Sequence, residues 1–124
     1  MIAVDTSTLS ALLGGDSGKD VDLLATSLAT GDVRLPPVVV TEILSDPAAG
    51  ELIATKIADL EVLEVSEGYW QRAGETRAKV RARGLKAKVA DALIAQSCID
   101  HDVALVTRDQ DFRHFAKHCG LKLA

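Results

Sequence analysis

The chain has 124 residues, of which 48% are hydrophobic and only 3% aromatic, and its net charge at pH 7 is −4. This length and composition exclude a disordered chain, suit one domain over residues 1–124, and argue against binding nucleic acid through a row of aromatic platforms. The charge is uneven, because residues 1–71 carry 3 basic and 12 acidic side chains whereas residues 72–124 carry 11 and 6. An anionic partner is therefore compatible with the acidic total.

The amino-terminal sequence and the cysteine content predict the compartment. No apolar run is long enough to span a bilayer, and the start MIAVDTSTLSALLGG has no basic region and carries Asp5 within the apolar stretch. We therefore expect no signal peptide and no membrane contact. Two cysteines, Cys98 and Cys119, are too few for a disulfide scaffold and favour a reducing cytoplasm. His114, His118 and Cys119 could supply three zinc ligands, but no CxxC pair accompanies them, so we expect surface histidines and no zinc.

Short apolar runs alternate with helical patterns, which predicts an α/β fold around a parallel sheet. In chain order we predict a strand at 2–4, helices at 6–13 and 19–29, a strand at 33–35, helices at 38–45 and 48–59, a strand at 60–65, helices at 67–83 and 89–102, a strand at 104–106, a helix at 110–118 and a strand at 121–123. The expected sheet has about five strands and is flanked by helices.

Four carboxylates stand where this pattern calls for other residue types. Asp5 and Asp109 follow predicted central strands, at the sheet edge where α/β proteins bind ligands. Glu42 and Asp91 share the apolar faces of their predicted helices. Each acid alone also fits a helix cap or a rim position, but burying four together is costly without compensating charge.

A divalent cation would supply that compensation, because only Lys19, Arg34 and Lys56 are basic before residue 72. Ligands that are all oxygen favour Mg²⁺ and allow Mn²⁺. Such a cluster indicates phosphodiester chemistry with an activated water. The sequence offers no covalent nucleophile beside a base, so Thr6 and Ser7 are predicted to cap a helix and to support the acids by hydrogen bonds.

Four segments then resemble the motifs of PIN-domain ribonucleases, specifically the VapC toxins of type II toxin–antitoxin pairs. They are IAVDTSTLSALL with Asp5, VVVTEIL with Glu42, VADALIAQSC with Asp91, and LVTRDQDF with Asp109 and Asp111. The resemblance covers the whole chain and implies a three-layer PIN-like sandwich.

The same resemblance implies a Mg²⁺-dependent endoribonuclease that cleaves structured RNA of the tRNA or rRNA class. By this likeness Asp5 and Asp91 bind the metal most directly, Glu42 positions the ion or the water, and Asp109 completes the site, with Asp111 as the alternative fourth acid. Thr107 matches the hydroxyl residue that often lies beside these acids. The expected partners are a second copy of the chain and a cognate antitoxin of the VapB type.

A basic segment precedes Asp91 and carries Arg77, Arg81, Arg83, Lys86 and Lys88. We predict that it forms the phosphate-binding wall of an RNA groove, since an acidic centre repels RNA and flanking cations must supply the binding energy. The alternative is a basic helix face that is merely solvated. Tyr69 and Trp70, at the start of this helix, are predicted to pack into the core, with stacking of one ring on a base as the alternative.

Three other functions fit parts of the same pattern. A haloacid-dehalogenase-like phosphatase needs a second acid two residues after the first, whereas Asp5 is followed by Thr6 and Ser7. A PIN nuclease of RNA maturation or decay without an antitoxin, and a non-catalytic PIN-like module that binds RNA or protein, remain open from the sequence.

Overall fold

Seven helices and four short strands make up the fold in a computed structural model that describes residues 1–124. The strands are β1 (Ile2–Val4), β2 (Val33–Leu35), β3 (Glu61–Val62) and β4 (Ala104–Val106). The helices are α1 (Thr6–Leu13), α2 (Lys19–Ala29), α3 (Pro37–Leu44), α4 (Gly50–Ala58), α5 (Tyr69–Arg81), α6 (Val89–Asp100) and α7 (Phe112–Cys119).

The four strands form one parallel sheet in the order β3-β2-β1-β4. Val4 at the end of β1 pairs with Val106 at the end of β4. Because the two strands are parallel and end in register, the residues that follow them, Asp5 and Thr107, leave the sheet side by side.

Helices cover both faces of this sheet. Successive strand residues point to opposite faces, yet neighbours Ala3 and Val4 are both fully buried, as are Leu105 and Val106. The strands belong to a core cluster of 21 buried residues. The predicted α/β fold with three layers and a parallel sheet is therefore confirmed.

The predicted strand at 121–123 is wrong as a strand, and the sheet has four strands where about five were predicted. That segment makes only a single parallel bridge, between Leu123 and Leu105. Two hydrogen bonds support it: the Leu105 amide donates to the Lys122 carbonyl at 2.9 Å and the Ala124 amide donates to the Leu105 carbonyl at 2.9 Å. Both bonds involve Leu105 alone, so the segment does not continue into a ladder.

The helix predicted at 67–83 is shorter in the structure. α5 begins at Tyr69, after Gly68 with φ of 80°, and ends at Arg81. Tyr69 is buried and its hydroxyl donates to the Leu93 carbonyl on α6 at 2.6 Å. Trp70 is 63% exposed, so the prediction of core packing is right for Tyr69 and wrong for Trp70.

A bidentate ion pair fastens α5 to α6. Arg72 donates to Asp100 from Nε at 3.0 Å and from Nη2 at 2.7 Å, and Gln96 donates to the same carboxylate at 2.8 Å.

Cys98 and Cys119 are free thiols. None of the helices combines the length and apolar character that crossing a bilayer requires.

Candidate metal centre

Asp5 begins the site directly after β1 and caps α1. Its Oδ1 accepts from the Thr8 amide at 3.1 Å, the Ser7 hydroxyl donates to Oδ2 at 2.7 Å, and the Thr107 hydroxyl donates to Oδ2 at 2.6 Å. The side chain is nearly buried, with the residue 2% exposed, and burial raises the pKa of its carboxyl despite these donors. A carboxylate has about four acceptor positions, so three donors leave about one position free.

Asp91 lies in the first turn of α6, where a carboxylate also interacts favourably with the helix dipole. The residue is 9% exposed, and its Oδ2 is buried without any hydrogen-bond partner. Burial, and then the negative charge of Asp109, raise the pKa of Asp91 to about 6. Buried polar atoms are nearly always satisfied in folded proteins, so this oxygen is a candidate ligand atom.

Asp109 and Asp111 bring their carboxylates to Asp91 from the segment after β4. One oxygen from each of the three acids lies within 4.8 Å of the others. The segment is held by a tight turn, in which the Asp109 amide donates to the Thr107 hydroxyl at 3.0 Å and the Asp111 amide donates to Asp109 Oδ1 at 2.9 Å. The sequence offered Asp109 and Asp111 as alternatives for the fourth acid, but both belong to one cluster in the structure. We call this cluster the acidic triad (Asp91, Asp109 and Asp111).

Glu42 lies beside the acidic triad on α3, half-buried. The Thr6 hydroxyl donates to Glu42 Oε1 at 2.6 Å, which ties α3 to the start of α1. The charge of Glu42 adds to the upward shift of the Asp91 pKa. Neither Glu42 nor Asp5 offers an oxygen within the 4.8 Å cluster, so they border the acidic triad.

The hydroxyl residues singled out in the sequence all contact acids in the structure. Ser7 and Thr107 donate to Asp5, and Thr6 donates to Glu42. These bonds orient carboxylates that would otherwise repel one another at close range.

Lys86 and Lys88 of the basic segment lie near the acids of the site, and the residues of the segment differ in exposure. Arg81, Arg83, Lys86 and Lys88 are exposed, and Lys86 Nζ lies 3.7 Å from Asp111 Oδ2. Arg77 is partly buried, and its Nε donates to the Ala87 carbonyl at 2.8 Å. Arg77 therefore also braces the connection between α5 and α6, whereas the other four are solvent-facing cations.

Sequence reasoning did not single out one ion pair beside the site, between Arg108 and Asp20. Arg108 Nε donates to Asp20 Oδ2 at 2.8 Å. Asp20 looks in the sequence like an ordinary acid in the first turn of α2, and its partner is 88 residues away. Only a comparison of related sequences, in which the two positions would change together, would have found it.

Comparison with known proteins agrees with this geometry. The PIN domain family matches residues 2–118, so the chain belongs to the PIN domain family, whose members are nucleases that typically hydrolyse RNA. The predicted resemblance to this family is therefore confirmed. No curated protein sequence matches the chain.

Several solved structures share the fold over the full chain length. One is VapBC2 from Rickettsia felis bound to a DNA fragment from its promoter, with a TM-score of 0.75, 18% identity, and coverage of 100% of this chain and 98% of that chain. VapBC-1 from nontypeable Haemophilus influenzae has a TM-score of 0.76 and 16% identity, and the match covers 100% of this chain and 97% of that chain. FitAcB from Neisseria gonorrhoeae has a TM-score of 0.71 and 19% identity, with coverage of 99% of this chain and 96% of that chain. The chain thus has the fold of proteins found in VapBC and FitAB complexes.

Proposed function

We propose that this chain is a Mg²⁺-dependent endoribonuclease and the toxin of a VapBC-type pair, acting in the cytoplasm on structured RNA of the tRNA or rRNA class. The observation that carries the proposal is the buried, unpartnered Oδ2 of Asp91 at the acidic triad. Leaving a buried carboxylate uncompensated costs several kcal/mol, and a divalent cation offsets that cost.

The donor set fits a hard cation. Every nearby candidate ligand is a carboxylate oxygen, which suits Mg²⁺ or Mn²⁺ and does not suit a soft metal. Asp91, Asp109 and Asp111 would hold the ion, with Asp5 and Glu42 as the bordering acids of the catalytic set. A divalent cation bound there would supply positive charge to the scissile phosphate and acidity to an attacking water.

The residues of the chain itself have two further tasks. Glu42, held by Thr6, and Asp5, held by Ser7 and Thr107, keep fixed carboxylates at the border of the acidic triad, where they orient water by accepting its hydrogen bonds. No covalent enzyme intermediate is needed, because water is the nucleophile.

We assign the RNA affinity to the exposed cations of the basic segment. Arg81, Arg83, Lys86 and Lys88 form the phosphate-binding wall, to which Arg77 contributes its outer guanidinium edge. Because these contacts reach the backbone and not the bases, they position RNA without reading its sequence. Selectivity then follows from RNA shape.

The partner part of the proposal rests on an apolar groove as well as on the related complexes. A cavity of about 470 Å³ between α1, α2 and α4 is lined mainly by hydrophobic side chains, namely Leu9, Leu12, Leu13, Leu28, Ile57 and Leu60. We assign this groove to an apolar helix of a cognate VapB-like antitoxin, and we expect the toxin itself to be a homodimer. The similar VapBC and FitAcB structures are complexes with such partners.

Cleavage of RNA by the purified protein tests the proposal. We expect wild-type protein to cut a pool of folded tRNA and rRNA fragments in Mg²⁺ and to lose this activity in EDTA. Asp91→Asn should reduce the rate by a factor of about 10² or more, because it removes the buried charge that the cation must balance. Asp59→Asn, an exposed acid elsewhere on the surface, is the matched control and should cut normally.

Other outcomes of the same experiment would favour the alternative functions. Metal-independent binding of RNA without cleavage would replace the enzyme by a non-catalytic module. If the protein cleaves RNA but no small protein encoded by a neighbouring gene binds or inhibits it, the result would indicate a PIN nuclease of RNA maturation or decay. Cleavage by Asp91→Asn at the wild-type rate would contradict the proposed metal site.

A further inference from the structure

The ion pair of Arg108 and Asp20 is one of two bidentate ion pairs in the structure, the other being Arg72 with Asp100. Arg108 donates to Asp20 twice, from Nε at 2.8 Å and from Nη2 at 3.1 Å, and Nη2 also donates to the Ser17 carbonyl at 3.1 Å. Asp20 accepts a third bond, from the hydroxyl of fully buried Thr8 on α1 at 2.9 Å. Arg108 holds the pKa of Asp20 at about 2, so Asp20 is charged at every pH at which the protein is expected to work.

This pair joins the two pieces of chain that carry acids of the site. Arg108 lies between Thr107, which donates to Asp5, and Asp109, whose amide donates back to Thr107. Thr8 lies in the first turn of α1, and its own amide donates to Asp5. Asp20 therefore binds both the helix that Asp5 caps and the segment that presents Asp109.

The chain turn that delivers Asp20 requires glycine. Gly18 has φ of 149°, and a Cβ on it would lie 2.6 Å from Asp20 Oδ1 and 3.1 Å from Arg108 Nη2. Asp20 cannot move away cheaply, because three donors fix its carboxylate. The backbone at this point is thus shaped around the ion pair.

We propose that Asp20 and Arg108 are positioning residues that set the distance between Asp5 and the acidic triad, and thereby the affinity of the site for its divalent cation. The inference rests on the proposed function for the identity of the bound group. Asp20 and Arg108 act one contact further out than the hydrogen bonds made directly to metal ligands, whose loss typically lowers metal affinity 10- to 100-fold, so we expect an effect at the lower end of that range.

Mn²⁺ binding to the metal-free protein tests the proposal without reference to activity. Arg108→Gln should lower the Mn²⁺ affinity about tenfold when measured by calorimetry or by electron paramagnetic resonance. The direction is decisive, because removing a positive charge near carboxylates would by itself strengthen cation binding. Asp20→Asn should lower the affinity by a similar factor, and the double variant should be little worse than either single one, since both break the same link.

Arg72→Gln is the matched control. It breaks the other bidentate pair, Arg72 with Asp100, whose side-chain exposures of 38% and 11% resemble the 35% and 17% of Arg108 and Asp20. We expect it to lower the melting temperature as much as Arg108→Gln does and to leave the Mn²⁺ affinity within about twofold, because it touches no acid of the site. Equal losses of Mn²⁺ affinity in both variants would show a merely structural role and overturn the proposal.

Amide hydrogen exchange gives a second, metal-free measurement. The Asp109 amide donates to the Thr107 hydroxyl, so Arg108→Gln should speed its exchange about tenfold while Arg72→Gln leaves it unchanged. Arg108→Lys serves the same purpose if the glutamine variant does not fold. Should wild-type protein not bind Mn²⁺, the proposed function fails, and this exchange rate still decides the positioning role: unchanged exchange at Asp109 refutes it.

Discussion

At the scale of single residues, burial and hydrogen bonding divide the acids of this site into two kinds. Asp5 accepts from three donors of the chain, and Glu42 accepts from the Thr6 hydroxyl. Asp91 has an oxygen with no donor at all. In the metal-free protein, the unfavourable electrostatics are therefore concentrated at the Asp91 carboxylate. Protonation of this carboxylate is the property of a single residue that is easiest to measure.

The pH dependence of stability should expose this residue. The pKa of Asp91 is raised to about 6 from an ordinary value of 3.8. Below the ordinary value the carboxyl is protonated in both the folded and the unfolded chain, so it costs nothing. Between this value and 6 the unfolded chain releases its proton while the buried carboxyl keeps its own, so the metal-free protein loses free energy of unfolding over that range, on the order of 2 kcal/mol, and no more above it.

Asp91→Asn removes that loss. In EDTA we expect the variant to be more stable than wild type at pH 7.5 and to have about the same stability at pH 4, measured by urea unfolding. Asp59→Asn, on the surface, should show no such trend. A stability difference between Asp91→Asn and wild type that stays constant from pH 4 to 7.5 would mean that Asp91 is not the strained acid.

At the scale of elements, the basic residues of α5 and of its connection to α6 have two different roles. Some brace the fold, and others are predicted to bind RNA phosphates. Arg77 is engaged with the Ala87 carbonyl, whereas Arg81 and Arg83 have no carboxylate partner. Cations without an internal partner lose least when they bind phosphate, because no ion pair has to be broken. The end of α5 should accordingly contribute more to RNA affinity than Arg77 does.

Charge reversal at this end of α5 should weaken RNA binding. For Arg81→Glu/Arg83→Glu we expect a lower affinity and a smaller dependence of log K on log salt, by about 0.7 for each phosphate that the variant no longer neutralises on single-stranded RNA. Fluorescence anisotropy over a salt series in a metal-free buffer measures both. The control Lys56→Glu/Lys122→Glu changes the net charge equally on other surfaces, and an identical response from it would show a non-specific effect of charge.

At the scale of the whole molecule, the acidic triad exists only in the folded chain. Asp91 lies on α6, while Asp109 and Asp111 follow β4, and packing of these elements brings the three oxygens within 4.8 Å. An unfolded chain spreads these acids and binds a cation weakly. Any cation that fills the site therefore binds the native state preferentially and stabilises it.

Mn²⁺ should thus raise the melting temperature. At a free concentration about 100 times the dissociation constant the stabilisation is about 2.7 kcal/mol, which corresponds to about 10 °C for a chain of this size. Differential scanning calorimetry with and without Mn²⁺ measures the shift, and EDTA should reverse it. Asp91→Asn should show little shift; a full shift in that variant would place the bound cation elsewhere.

The sequence by itself determined the order of helices and strands, the parallel sheet and the positions of the acids at strand ends. These follow from local patterns: short apolar runs, helical spacing of apolar residues, and glycines where helices stop. Four motifs in order also sufficed to indicate the PIN domain family, which residues 2–118 match. The last strand, predicted at 121–123, forms only a single bridge in the structure. The residue pattern does not reveal how many ladder hydrogen bonds a short apolar segment can make.

Only the tertiary structure decided which acids share a site and what holds them. Asp109 and Asp111 both face Asp91, although the sequence offered them as alternatives. Asp20 and Arg108 are 88 residues apart and meet because α2 packs beside the end of β4. Such contacts depend on packing across the fold, whose distances no local pattern encodes, and they decide which carboxylates find hydrogen-bond donors and which do not.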